Sequence, residues 1–136
     1  MIQVFCNERG AGKTKELITL ANKKLTETKG DSVYIDDDIR HIRQVDRRIR
    51  FIALEDYNIL DCRDFYGLLC GIISSNFDVE NIYIDGFFDS YKYNNEEMSN
   101  LFSKLKILSS EFNVNLFINI NNNLKDVPEF IRKYVA

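Results

Sequence analysis

The 136-residue chain has no tryptophan, one proline, one histidine and an odd count of three cysteines. With Pro128 alone and no Ser/Gly-rich stretch, nothing in the chain punctuates a linker, so a single domain over residues 1–136 is predicted. Cys6, Cys62 and Cys70 form no Cys-x-x-Cys pair, and His41 stands at no metal spacing from any of them. That excludes a zinc knuckle and a disulfide scaffold and predicts reduced, structural thiols. No apolar run approaches the ~20 residues of a membrane span, and Met1 leads into an apolar run without a basic region. A cytoplasmic protein is therefore expected. The formal charge of -3 gives no general attraction to nucleic acid or anionic lipid, so any basic surface has to be local. No internal repeat is visible.

What is present is a regular alternation. Residues 2–6 form a short apolar run. After a Gly-rich turn, Leu17, Ile18, Leu20, Ala21 and Leu25 follow a helical period, with Lys15, Glu16, Lys23 and Lys24 left for solvent. Residues 32–35 read as a second strand ending in Asp36, Asp37 and Asp38. Ile39, Ile42, Val45 and Ile49 then make one helical stripe, and "RFIAL" resumes strand character. Asp61 suits the N-cap of a helix with Cys62, Phe65, Leu68, Leu69, Ile72 and Ile73 on its apolar face. Gly67 and Gly71 within it predict close packing of that helix on the sheet. "NIYIDGFF" is a strand ending in Asp85. Met98, Leu101, Phe102, Leu105, Leu108 and Phe112 mark another helix, "VNLFINI" a last strand, and Asp126 with Pro128 a short terminal helix. Strands apolar on both faces and separated by helices predict an α/β fold: three layers around a central, mostly parallel five-stranded sheet. Ligands of such sheets bind beyond the C-terminal strand ends. The Gly-rich turn, Asp85 and the Asn-rich stretch after Ile120 should all lie there.

The turn itself reads Asn7-Glu8-Arg9-Gly10-Ala11-Gly12-Lys13-Thr14, followed by Lys15. It matches G-x-x-x-x-G-K-[ST] at every fixed position except the first, between a strand and a helix. A phosphate needs converging donors, which the backbone N–H groups of residues 8–14 and the positive end of the following helix supply. Gly10 and Gly12 let the backbone approach, and asparagine is the non-glycine residue best able to make the first turn. With these residues the chain resembles the P-loop NTPases, with Walker A in this loop. In its order of strands and helices it looks like the recombinase-like and thymidine-kinase-like branches, and in outline it resembles short bacterial P-loop proteins. The resemblance implies ATP and Mg²⁺ as cofactors. It places Lys13 against the β- and γ-phosphates, the Thr14 hydroxyl on Mg²⁺, and Asp85 on the same ion through a water molecule. Asn7, Glu8, Arg9, Gly10, Ala11, Gly12, Lys13, Thr14 and Lys15 would form the nucleotide cradle.

Two rival patterns fit less well. Gly10-Ala11-Gly12 begins a dinucleotide fingerprint and Asp36 would be its acidic residue, but Lys15 stands where a third small residue belongs. Asn123-Leu124-Lys125-Asp126 has its lysine one place late for guanine recognition, which favours ATP over GTP. Hydrolysis needs a group to orient water, and Gly86 occupies the position after Asp85 where many relatives of this class carry glutamate. Thymidine kinases have Asp-Glu there and zinc-binding cysteines besides, both missing here. Glu55 at the end of "RFIAL" is the best-placed substitute base, with Glu8 a weaker one. Asn119 or Asn121 is a candidate γ-phosphate sensor or a turn residue. Arg40, Arg43, Arg47, Arg48 and Arg50 form the only basic cluster, with Arg40, Arg43 and Arg47 expected on one helical face, and neighbouring aspartates favour a solvated ion-pair surface. Phe87, Phe88, Tyr91 and Tyr93 are too many aromatics for one short loop to bury, so some should pack under it and an exposed remainder would suit adenine stacking or a protein partner. The expected function is Mg²⁺-dependent ATP binding by a switch or accessory subunit, with slow or partner-stimulated hydrolysis. The alternatives are an interaction module with a degenerate loop and a small nucleoside or small-molecule kinase.

Overall fold

A strand that is apolar on both faces has to be covered on both, and strands separated by helical segments have connections long enough to pair in parallel. The computed structural model describes residues 1–7, 12–89 and 94–136. Five strands, β1 (Ile2–Asn7), β2 (Asp31–Asp36), β3 (Arg50–Ala53), β4 (Val79–Asp89) and β5 (Asn115–Asn121), form one sheet in the order β1-β5-β4-β2-β3. Every neighbouring pair is parallel, so the sheet is wholly parallel where the sequence suggested mostly parallel. The helices are α1 (Lys13–Lys24), α2 (Cys62–Ser75), α3 (Asn95–Phe112) and the short α4 (Glu129–Arg132). None among the described residues is long and apolar enough to cross a membrane.

Period-two alternation divides the core between the two faces of the sheet. On one face, Leu17, Ile18 and Ala21 of α1 pack over Tyr34, Tyr83 and Phe117, joined by Val45 and Ile49. The rings form a ladder across four strands, with centroids 5.8 Å apart for Tyr34–Phe51, 6.3 Å for Tyr34–Tyr83 and 4.9 Å for Tyr83–Phe117. On the other face α2, α3 and α4 bring Phe65, Leu69, Leu101, Leu105 and Ile131 over Val33, Ile35, Ile82, Ile84 and Ile118. The Asp61 carboxylate accepts the Asp64 N–H at 2.8 Å and starts α2, as its position predicts, and Asn94 does the same for α3 through Glu97 at 2.8 Å. The outer edge of β1 is closed by the chain's own end. Val4 N–H donates to the Tyr134 carbonyl at 2.8 Å and Ala136 N–H to the Val4 carbonyl at 3.1 Å.

Four expectations are corrected. Residues 39–49 are not an α-helix: they hold a single 3₁₀ turn, Ile42–Gln44, with Val45 and Ile49 buried but Ile39 and Ile42 exposed. Strand β4 does not stop at Asp85 but continues to Asp89 through an irregularity between Ile84 and Phe88, with Gly86 at φ 76°. That bulge turns two consecutive residues into one core. Phe87 and Phe88 are both buried, with ring centroids 4.0 and 5.9 Å from that of Phe65, so neither belongs to an exposed aromatic surface. Finally, a Cβ on Gly67 or Gly71 would meet nothing within 4 Å, so neither glycine is there for close approach of α2 to the sheet.

Candidate functional site

In a wholly parallel sheet every C-terminal strand end lies on the same side, and α1 starts there. Register places Asn119 beside Phe5, Ile118 beside Ile84, and Ile84 beside Ile35. One residue further on, Asn119, Asp85 and Asp36 therefore stand in a row across β5, β4 and β2. They sit two residues beyond Phe117, Tyr83 and Tyr34, on the face covered by α1. All three are buried.

Helix α1 begins from Gly12 in the left-handed region at φ 78°, a conformation that glycine adopts at little cost, and the Glu16 N–H closes the first turn on the Gly12 carbonyl at 3.1 Å. Lys13 is the first helical residue and is only 5% exposed. Its Nζ donates to the Ile120 carbonyl, while the Asn119 amide donates to the Lys13 carbonyl at 3.2 Å, tying the helix start to the end of β5. Burial pulls the Lys13 pKa down from its ordinary value, opposed by Cys6 and by the carboxylates of Asp85 and Glu16. Burial holds the half-buried Cys6 thiol above its usual range against the pull of Lys13.

Asp85 accepts the Gly86 N–H at 2.9 Å on one oxygen and the Tyr34 hydroxyl at 3.2 Å on the other. Asp36 accepts the Asp37 N–H at 2.8 Å and faces His41 Nδ1 at 3.2 Å. Burial, seconded by Asp37 and the neighbouring charge of Asp85, pushes Asp36 up to about 8. Tyr34 is driven above its ordinary value by burial and by both carboxylates. Gly86 keeps this corner open: a Cβ there would lie 2.8 Å from Asp37 N and 2.9 Å from Asp36 Oδ1.

The structure thus gathers Gly12, Lys13 and Asp85 of the expected residues at one end of the sheet. Thr14 is half-buried and makes no side-chain hydrogen bond among the described residues, and Lys15 is exposed. Glu8, Arg9, Gly10 and Ala11, the side chain of Asn7, and Tyr91 and Tyr93 lie outside the described residues. Glu55 is not beside Asp85. It is exposed in the 3₁₀ turn Leu54–Tyr57 after β3, with β2 between β3 and β4, and its N–H donates to the Asp37 carbonyl at 3.1 Å. Asn119 serves as the tie described above, and Asn121 is exposed. Arg40 and Arg48 are held by Asp38 at 2.9 Å and Asp46 at 3.0 Å, the local ion pairing that the sequence favoured, although no helical face aligns Arg40 with Arg43 and Arg47. Sequence reasoning missed the Asp36–His41 pair and the Tyr34 hydroxyl. The one available signal was that Asp36, like Asp85, directly follows an apolar run.

No model of a known protein family matches the chain, and no curated protein sequence matches it. The chemistry of the site follows from its own groups. A buried ammonium at a helix N-terminus attracts an anion. The Asp85 carboxylate and the Thr14 hydroxyl are hard oxygen donors of the kind Mg²⁺ takes in small number while keeping its waters. No group of three or more His, Cys, Asp or Glu side chains able to hold a metal by itself occurs among the described residues.

Proposed function

We propose that the chain binds ATP with Mg²⁺ at this end of the sheet and acts as a switch or accessory subunit that hydrolyses the nucleotide slowly. The observation that carries the reading is Lys13: an ammonium buried at the first residue of α1, within electrostatic reach of the Asp85 carboxylate. In the proposed complex Lys13 exchanges the Ile120 carbonyl for phosphate oxygens, and α1 adds its N–H groups and dipole. Mg²⁺, held by Thr14 and by Asp85 through water, supplies the charge neutralisation that phosphoryl transfer requires. Asp36, unlike Glu55, stands beside Asp85 in the sheet register, but burial pushes its pKa up to about 8 and it keeps its proton at neutral pH, so no strong base serves an attacking water and turnover is slow. The burial of Phe87 and Phe88 removes half of the aromatic surface on which the rival reading, a non-binding interaction module, rested.

Thermal denaturation with and without nucleotide tests the reading. ATP with Mg²⁺ at a hundredfold excess over the dissociation constant should stabilise the fold by about 2.7 kcal/mol. Chelating Mg²⁺ should weaken the effect, and Lys13→Ala should remove it while still folding. A wild-type melting temperature that ATP and Mg²⁺ leave unchanged would overturn the proposal.

A further inference from the structure

At the other end of the strands, on the opposite face from Lys13, a cleft of about 690 Å³ opens between α2 and the edge strand β3. Its floor is apolar: Val33, Ile52, Leu68, Ile72 and Val79 line it. Gly71 leaves it open, since a Cβ there would touch nothing within 4 Å. Arg50 pairs in register with Val33, so its side chain leaves the sheet on this face and lines the cleft, and Arg48 stands at the rim. Among the described residues the Arg50 side chain has no ion pair and no hydrogen bond, whereas Arg48 is paired with Asp46 at 3.0 Å. The one carboxylate lining the cleft, Asp31, is engaged by the Asn76 amide at 2.8 Å. The end of α2, which would repel an anion, is softened because Ser74 and Ser75 donate to the carbonyls of Gly71 and Ile72 at 3.2 and 3.0 Å.

We propose that this cleft binds a small organic acid with an apolar body, its carboxylate or phosphate monoester on Arg50 and its hydrocarbon over Val33, Ile52 and Leu68. The volume lies within the range of small-molecule sites, which combine apolar lining with a few polar or charged groups; here Arg48, Arg50 and the engaged Asp31 accompany Val33, Ile52 and Leu68. A guanidinium recognises the two acid classes through the same pair of parallel hydrogen bonds, so the shared chemistry is an oxyanion on an aliphatic or aromatic body. The site is separate from the proposed nucleotide site and does not depend on it.

Titration of the full chain with hexanoate, hexyl phosphate and hexanol, followed by amide chemical shifts, tests the assignment. Either acid should bind saturably and move the amides of residues 50–52 and 68–72, and which of them binds more tightly identifies the head group. Hexanol should bind at least about tenfold more weakly, the value of one charge-assisted contact. Arg50→Met should bring the acids down to the level of hexanol. Gly71→Leu replaces a helical glycine with a better helix former in open space, so it should fold at least as well and abolish binding of all three probes. Acids that bind no better than hexanol, binding that survives Gly71→Leu, or no binding of either acid at millimolar concentration would each overturn the proposal.

Discussion

Asp36 and Asp85 place two carboxylates side by side where little water reaches, and the two cannot both be charged without cost. Asp36 bears that cost, with a folded-state pKa pushed up to about 8 against about 4 for an unfolded aspartate. Between those values the folded chain holds a proton that the unfolded chain has released, so raising the pH favours unfolding. The stability contributed by protonated Asp36 should be complete below about pH 4 and lost as pH rises through 8. Urea denaturation midpoints measured from pH 5 to 8.5 should fall with pH, and Asp36→Asn, which retains an acceptor for the Asp37 N–H, should flatten the decline. An unchanged slope in that variant would assign the pH dependence elsewhere. The same pair shows what a sequence displays and what it hides. Gly12, Lys13 and Thr14 are legible because their roles follow from consecutive residues between a strand and a helix. Asp85 is legible as the acidic residue that interrupts an apolar run. Asp36 was visible as one of three aspartates and as the acidic residue of a rejected dinucleotide pattern, but not as a neighbour of Asp85, because that depends on β2 lying next to β4, a pairing set by packing over some fifty residues and not by any local pattern.

Among the elements, the connection from β2 to β3 departs most from its periodicity. Ile39, Ile42, Val45 and Ile49 have helical spacing, yet the segment binds its backbone to side chains instead. Asp38 accepts the Arg40 N–H at 3.0 Å and Asp46 the Arg48 N–H at 2.9 Å. Asn22 of α1 takes both sides of the turn, donating to the Gln44 carbonyl at 2.9 Å and accepting the Asp46 N–H at 2.9 Å. These bonds hold Val45 and Ile49 under α1 and leave Ile39 and Ile42 in water. Aspartates spaced through a helical pattern are the local warning, since they compete for the same backbone donors. Asn22→Ala removes both bonds and leaves a partly buried N–H and a carbonyl unmatched. It should cost about 1–3 kcal/mol in urea denaturation. Hydrogen exchange at residues 44–49 should accelerate more than in β4. Equal acceleration throughout the sheet would mean that the segment is held by Val45 and Ile49 alone.

For the whole molecule, the decisive fact is where the chain's halves fall in the sheet. β1 lies at one edge and β2 with β3 at the other, and the strands between them, β5 and β4, both come from the second half of the sequence. Until β5 exists, β1 has no neighbour on its inner side, and its outer side is closed only by residues 134–136. Contacts that span nearly the whole chain must form before the first strand gains a partner, which makes folding late and mutually dependent. The two hydrophobic clusters reinforce this, because α1 on one face and α2 with α3 on the other pack against the same strands. A fragment of residues 1–112, which keeps four strands and three helices but lacks β5, should therefore show no cooperative thermal transition by circular dichroism. In the complete chain, native-state hydrogen exchange at residues 17–21 of α1 and 68–72 of α2 should converge on one opening free energy as urea is raised. If residues 1–112 melted cooperatively, or if the two helices kept separate opening energies up to global unfolding, β5 would not be the strand that joins the faces into one unit.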